Sequence, residues 1–187
     1  MNLKDFSFTK EWTLFLDRDG VISQRIPDNY VTRWEDFRFI DGVLEAIVLL
    51  GSVFGHIIIV SNQQGVGKGR MSPESLKMID TKMKEEIKSA GGHIDASYYS
   101  PHLSSLNHPD RKPGIGMGLK AKTDFPSIDF TRSVMVGDTA SDMEFGKRLG
   151  MITVMICKNN NEPESELTDL YFQSLHDFAF SLQNASI

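Results

Sequence analysis

Leu14-Phe15-Leu16-Asp17-Arg18-Asp19-Gly20-Val21-Ile22 carries two carboxylates at the mouth of a short apolar run and follows them with a glycine that permits a sharp turn. Thr13 to Leu16 reads as a buried strand, and two acids at its end are costly without a role. A turn or a helix cap is the structural account. A capping pair, however, is seldom preceded by a buried strand and followed by a further apolar pair such as Val21 and Ile22. Function is the better reading.

Outward from this segment the chain alternates short apolar runs with helical stretches. Ile57 to Val60, Tyr98 to Tyr99, Val134 to Val136 and Ile152 to Ile156 read as four further buried strands. Asp41 to Leu50 predicts a helix closed by Gly51, and Ser72 to Ala90 a longer one with Ser72 as N-cap, Pro73 at N1 and Gly91 beyond its end. Leu76, Ile79, Met83 and Ile87 form an apolar stripe at helical spacing, which is core. Further helices are expected from about Gly116 to Lys122 and from Ser141 to Leu149. Strand, helix, strand, helix predicts a doubly wound, Rossmann-like α/β fold: one parallel sheet flanked by helices, as a single domain over 1–187. The stretch Lys158 to Glu162 reads as a surface loop. In such folds chemistry gathers just past the carboxyl ends of the strands.

The other strand ends bear this out as a pattern. Ser61-Asn62-Gln63-Gln64-Gly65 supplies hydroxyl and amide donors suited to an anion's oxygens. Arg111-Lys112-Pro113 opens a helix and offers positive charge, although alone it is a common surface feature. Val136-Gly137-Asp138-Thr139-Ala140-Ser141-Asp142 sets Asp138 at a strand end and Asp142 near the next helix start, hard oxygen donors of the kind magnesium prefers. Together these form a phosphate-plus-metal site. Gly65-Val66-Gly67-Lys68-Gly69 lacks the spacer and hydroxyl of a P-loop, and Gly114-Ile115-Gly116-Met117-Gly118 follows a proline instead of a strand, so neither argues for nucleotide.

Composition narrows the classes. With 187 residues and 40% hydrophobic content the chain can bury one sizeable core. The net charge of -5 is spread along the chain without a Lys/Arg tract, so no nucleic-acid partner is expected. No apolar run approaches the ~20 residues of a membrane span, and no basic segment leads into an apolar one near the start, which predicts a cytoplasmic protein without a membrane partner. Asn184-Ala185-Ser186 is then a chance glycosylation tripeptide. One cysteine, Cys157, allows no internal disulfide and no thiolate metal cage. Oligomeric state is left open, with a monomer favoured.

The four strand-end segments, Asp17-Arg18-Asp19-Gly20-Val21, Ser61-Asn62-Gln63, Lys112-Pro113 and Gly137 to Asp142, resemble the four motifs of the haloacid dehalogenase superfamily of phosphohydrolases, in order and across nearly the whole chain. The resemblance implies that Asp17 attacks phosphorus to form an aspartyl-phosphate while Asp19 acts as general acid and then general base. Asp19 then needs a raised pKa, which Asp17 favours and a metal ion opposes. The resemblance also implies magnesium held by Asp17, the Asp19 backbone carbonyl and Asp138, with Asp142 orienting a ligand or bound water. Ser61 and Lys112 would stabilise the phosphoryl oxygens.

Between the first two motifs there is room for a flap (about 20–38, with Ser23 to Arg38 its body) and one helix only, so a minimal cap is expected and loops select the substrate. Asn29-Tyr30-Val31, Phe39 to Val43, Ser61 to Gly65 and Tyr99-Ser100-Pro101-His102 look like the D,D-heptose 1,7-bisphosphate and histidinol-phosphate phosphatase group. That makes Asn62, Gln63, Gln64, Thr139 and the flap's Asp28 and Tyr30 candidate substrate contacts, and Arg111 the substrate-recognition arginine, whose fork suits a second phosphate. The group usually carries a zinc loop of Cys-x-His then Cys-x-Cys. Here the matching positions in loop 100–110 are Ser100, His102, His108 and Asp110. The expectation is that zinc is absent and packing holds the loop; a weak site of His102, His108 and Asp110 is the alternative. A small phosphorylated metabolite is the expected substrate, most of all a sugar bisphosphate such as D,D-heptose 1,7-bisphosphate. Histidinol phosphate is the runner-up, ahead of a polynucleotide 3′-phosphate or a non-catalytic phospho-ligand binder.

Overall fold

The computed structural model describes residues 3–26, 29–157 and 165–185. Among them, six strands form one sheet: β1 (Thr13–Leu16), β2 (His56–Asn62), β3 (Ala96–Ser100), β4 (Ser133–Gly137), β5 (Ile152–Ile156) and β6 (Leu170–Phe172). Every pairing is parallel and the order is β3-β2-β1-β4-β5-β6. The chain therefore winds outward from β1 to β3 on one side, returns, and winds outward on the other. The reversal lies between β1 and β4, where an open α/β sheet leaves a crevice outside its carboxyl edge.

Strand side chains alternate between two faces, so each central strand feeds two cores. Leu14 and Leu16 join Ile57, Ile59, Val134 and Val136 on one face, while Phe15 joins Ile58, Val60 and Met135 on the other. The first face is covered by α1 (Val43–Val53), α3 (Pro73–Ser89) and α6 (Leu175–Ala185); α4 (Gly116–Asp124) and α5 (Ala140–Leu149) cover the second. The stripe of Leu76, Ile79, Met83 and Ile87 is buried in the first core, as its spacing predicts. Complete burial of one such side chain is worth about 1.5–3 kcal/mol. The four-residue helix α2 (Gln64–Gly67) follows β2 directly. No helix among the described residues is long and apolar enough to cross a membrane.

Several boundaries differ from the sequence reading, each for a physical reason. The helix expected to close at Gly51 runs on to Val53, and the Phe54 N–H caps it on the Leu50 carbonyl. Lys10 Nζ adds a bond to the Phe54 carbonyl at 3.0 Å and another to that of Gly51. Gly51 is small for packing: a Cβ there would come within 3.1 Å of the His93 ring. The third strand extends to Ala96–Ser100 and is mostly half-buried, because it lies at the sheet edge. Its phenols reach carboxylates, Tyr98 to Asp124 and Tyr99 to Asp80, each at 2.7 Å. Five strands were expected, and β6 with α6 was missed, because three residues are too few to show a period. Lys158 to Glu162 and Asp28 lie outside the described residues.

Asp169 fixes β6 to β5. Its carboxylate takes Lys147 Nζ at 2.6 Å on both oxygens and accepts from the Thr153 backbone N–H at 2.9 Å. Burial acts to raise its pKa, but the bonds from Lys147 and Thr153 outweigh that and hold it below the usual carboxylate range. A depressed folded pKa contributes stability above the unfolded pKa, and that stability is lost as pH falls through the folded value. Asp169→Asn is therefore expected to destabilise the chain by about 1 kcal/mol near pH 7. In urea unfolding, its difference from the wild type should close in acid below about pH 4, where the wild-type carboxylate also protonates.

Candidate active site

β1 and β4 end side by side, in register Leu16 to Val136, and the Asp17 N–H donates to the Val136 carbonyl at 2.9 Å. Asp17, Asp138 and Asp142 are thereby brought together, with ligand oxygens within 4.8 Å of one another. The close approach requires Gly20: it has φ of 101°, and a Cβ there would fall 1.8 Å from Asp138 Oδ2.

Lys112 arrives from the loop after β3 and is itself buried. Its Nζ lies 3.0 Å from Asp17 Oδ1 and 2.5 Å from Asp142 Oδ1, and donates to the Val60 carbonyl at 2.6 Å. Asn62 sets this geometry: its amide accepts from the Lys112 N–H at 2.9 Å and donates to the Lys112 carbonyl at 3.0 Å. Burial acts to lower the Lys112 pKa, but Asp142 and Asp17 raise it above its ordinary value, so the lysine is a fixed cation. For Asp17 burial prevails over the Lys112 charge and, with Asp142 adding, pushes the carboxyl up to about 6. Asp17 and Asp142 on Lys112, with Asp138 beside them, have the hard oxygen chemistry that fits magnesium.

Asp19 departs from expectation. Its carboxylate is gripped by Arg18, with Nε and Nη2 each donating at 2.9 Å, and accepts from Ser23 Oγ at 2.9 Å and Gln63 Nε2 at 2.7 Å. Burial works to raise its pKa, but the Arg18 charge, with these bonds, lowers it. The balance that the sequence leaves open between Asp17 and a metal ion is tipped by a third group: the fully buried Arg18 holds Asp19 as a carboxylate at rest.

A cleft of about 200 Å³ opens on this cluster, lined by the buried Asp17, Ser61, Lys112 and Asp142 together with the more exposed Asp19, Asn29, Tyr30, Gln64, Arg111 and Thr139. Gln63 is absent from that lining: it is buried, turned under Asp19, and touches Ser61 Oγ at 3.2 Å. Its substrate contact is replaced by a role in placing Asp19. Thr139 and Asp142 form a capping box that starts α5, with Thr139 Oγ1 donating to Asp142 Oδ2 at 2.6 Å. From the flap, Tyr30 Oη accepts from Lys68 Nζ at 2.9 Å. Arg111 Nη1 donates to the His102 carbonyl at 3.1 Å, so the loop after β3 holds the arginine at the cleft. His102 and His108 stack with ring centroids 3.4 Å apart, and His108 Nδ1 accepts from the Asp110 N–H at 3.1 Å. Lys120 Nζ lies 2.5 Å from Asp110 Oδ2, and the ligand atoms of His102, His108 and Asp110 also fall within 4.8 Å of one another.

The sequence reading passed over Arg25. This flap residue donates Nε to Asp138 Oδ2 and Nη2 to Asp138 Oδ1, both at 2.6 Å, with Nη2 3.8 Å from Asp17 Oδ2. Nothing in its local sequence distinguishes it from a solvated arginine; only the fold of the flap over the cleft does.

Comparison with known proteins gives the family and the fold. Residues 13–183 match the family model described as Polynucleotide kinase 3 phosphatase. A D-glycero-alpha-D-manno-heptose-1,7-bisphosphate 7-phosphatase of Mycobacterium bovis is 32% identical over 178 residues, covering 94% of this chain and 93% of the relative. The chain belongs to the haloacid dehalogenase phosphatases. A D-glycero-beta-D-manno-heptose-1,7-bisphosphate 7-phosphatase of Vibrio cholerae is 34% identical over 174 residues, 88% of this phosphatase and 92% of that protein. The crystal structure of D,D-heptose 1,7-bisphosphate phosphatase from B. bronchiseptica, complexed with magnesium and phosphate, superposes with a TM-score of 0.82 at 25% identity over 92% of this chain and 98% of that one. The parallel sheet with its flanking helices is thus shared with that structure.

Proposed function

We propose that this phosphatase removes a phosphate from a sugar bisphosphate of the heptose 1,7-bisphosphate kind, with magnesium and through an aspartyl-phosphate on Asp17. One observation carries the reading: a buried Asp17 beside a fixed, buried cation, Lys112, in a cleft that a second, partly exposed and separately held cation, Arg111, also lines. The buried Asp17–Lys112 pair suits the phosphate that reacts, and Arg111 one that does not. The names of the relatives in Mycobacterium bovis and Vibrio cholerae support the substrate class.

Asp17 forms its oxygen–phosphorus bond as the ester bond to the leaving alkoxide breaks, and Asp19 gives that alkoxide a proton. Arg18 opposes protonation of Asp19, whereas an incoming phosphate dianion raises its pKa, so Asp19 takes up the proton it donates only with substrate in place. Asp19 then takes a proton from the water that splits the acyl phosphate, releasing inorganic phosphate and restoring Asp17. Lys112 and Ser61 face the phosphoryl oxygens, each worth about 3 kcal/mol if comparable to other preorganised donors. Magnesium on Asp17, the Asp19 carbonyl and Asp138, with Asp142 behind, would supply the charge that lets two anions meet.

Zinc is not needed in this reading. The loop of Ser100 to Asp110 carries no thiolate, and two of the donors at the matching positions are engaged within the protein, Asp110 by Lys120 and His108 by the Asp110 N–H. Full activity with no zinc by metal analysis after dialysis is the expected result.

The test is a phosphate-release screen with both anomers of heptose 1,7-bisphosphate, histidinol phosphate and a 3′-phosphorylated oligonucleotide. The bisphosphate should give the highest kcat/KM, and Arg111→Ala should lower it about 10–100-fold, chiefly through KM, with far less effect on a monophosphate. Equal losses on both substrate types would sink the second-phosphate role, and preference for the oligonucleotide would sink the substrate class.

A further inference from the structure

The fork of Arg25 closes on Asp138 with both its oxygens and leans toward the nucleophile, 3.8 Å from Asp17 Oδ2. These are two of the three carboxylates that a magnesium ion would need. A guanidinium and a divalent cation cannot both hold Asp138 in this way, since a bidentate fork uses the oxygens facing the cleft.

The flap lets one side chain move without the backbone. At its base Gln24 N–H donates to the Arg38 carbonyl at 2.8 Å and Ile40 N–H to the Ile22 carbonyl at 3.0 Å, and Ser23 bridges to Phe39. Arg25 projects from this fixed base as a long chain whose side chain is 49% exposed, so a swing into the cleft displaces no core. The cleft it lines is also lined by Lys112 and Arg111.

We propose that Arg25 is an exchangeable counter-cation: it holds Asp138 until magnesium takes that carboxylate, and the released fork then binds the oxygens of the substrate phosphate. Metal loading and phosphate binding are thereby coupled through one flap residue, by differential contacts in two arrangements. This rests on the proposed magnesium-dependent reading of the same site.

The test measures binding alone, by calorimetry on the full chain. Magnesium is titrated without phosphate, then inorganic phosphate at saturating magnesium, into the wild type, Arg25→Gln and Arg25→Lys. With the competing pair gone, Arg25→Gln should bind magnesium about fivefold more tightly, the scale of a half-exposed ion pair, and phosphate at least about fivefold more weakly. Arg25→Lys keeps the charge but not the fork, and its magnesium affinity should fall between the two. Magnesium affinity unchanged or weakened in Arg25→Gln would mean that Arg25 is no competitor or preorganises Asp138, and overturns the exchange. Unchanged phosphate affinity overturns its second half. An Arg25→Lys equal to the wild type would reduce the effect to net charge and overturns it too. A wild-type chain that takes up no magnesium at all would instead bring down the magnesium reading beneath it.

Discussion

Asp17→Asn is expected to lower kcat by about 10⁴-fold or more on any phosphate ester the wild type hydrolyses, because the oxygen that bonds to phosphorus is gone and no other carboxylate can take its place. Asp19 is turned into the grip of Arg18, Ser23 and Gln63, and Asp142 is spent on Lys112 and the start of α5. The variant should nonetheless fold. Asp17 has a folded pKa raised to about 6, chiefly by burial, so its charge works against folding once pH rises through that value. A neutral, isosteric amide removes that opposition, and urea unfolding near pH 7 without added metal should show Asp17→Asn at least as stable as the wild type. Stability conceded at a functional carboxylate and regained on its removal is the usual trade at an active site. Intact-mass analysis of acid-quenched turnover should find one phosphoryl group on the wild type and none on the variant. A phosphorylated variant, or one with more than a tenth of wild-type activity, would falsify Asp17 as the nucleophile.

Lys112→Met should be damaging in both respects. The lysine Nζ sits between Asp17 and Asp142 and also satisfies the Val60 carbonyl, all inside the protein. Methionine fills much of the space but leaves two facing carboxylates without a counter-charge, and breaking such a buried arrangement from one side costs about 3–5 kcal/mol. For a chain of this length that corresponds to a fall in melting temperature of roughly 10 °C. Activity should fall a further 10²–10³-fold at temperatures where the variant is folded, as expected for a lost preorganised donor, by order of magnitude. Lys112→Met/Asp142→Asn separates the two effects. Removing the stranded acid should recover most of the stability and none of the activity. A double variant as unstable as the single one would show that the lysine holds the site by packing and not by charge.

The sheet and its two cores were legible because strands of the central sheet are written as short apolar runs and α3 as a stripe at helical spacing. Both are local periodicities that a single sequence displays. The positions of Asp17, Ser61, Lys112 and Asp138 at one edge follow from the same pattern, since parallel strands joined by helices must all end on one side. The limits are equally physical. β6 is three residues long, and what makes it a strand is its pairing with β5, beside the bonds from Asp169 to Lys147 and Thr153, all remote in sequence. The half-buried β3 and the continuation of α1 through Gly51 likewise depend on neighbours from elsewhere in the chain.

The chemistry divides in the same way. The residue types that the proposed mechanism uses were determined by the sequence alone, as carboxylates and a hydroxyl at strand ends and a lysine in the loop after β3. Their states were not. Asp19 is drawn below the ordinary carboxylate range by Arg18, Gln63 leaves the cleft to support it, and Arg25 crosses the flap to Asp138. A pKa or an ion pair depends on burial and on charges a few ångströms away, whereas sequence order constrains only neighbours along the chain. Tertiary structure alone decides which acid sits beside which base.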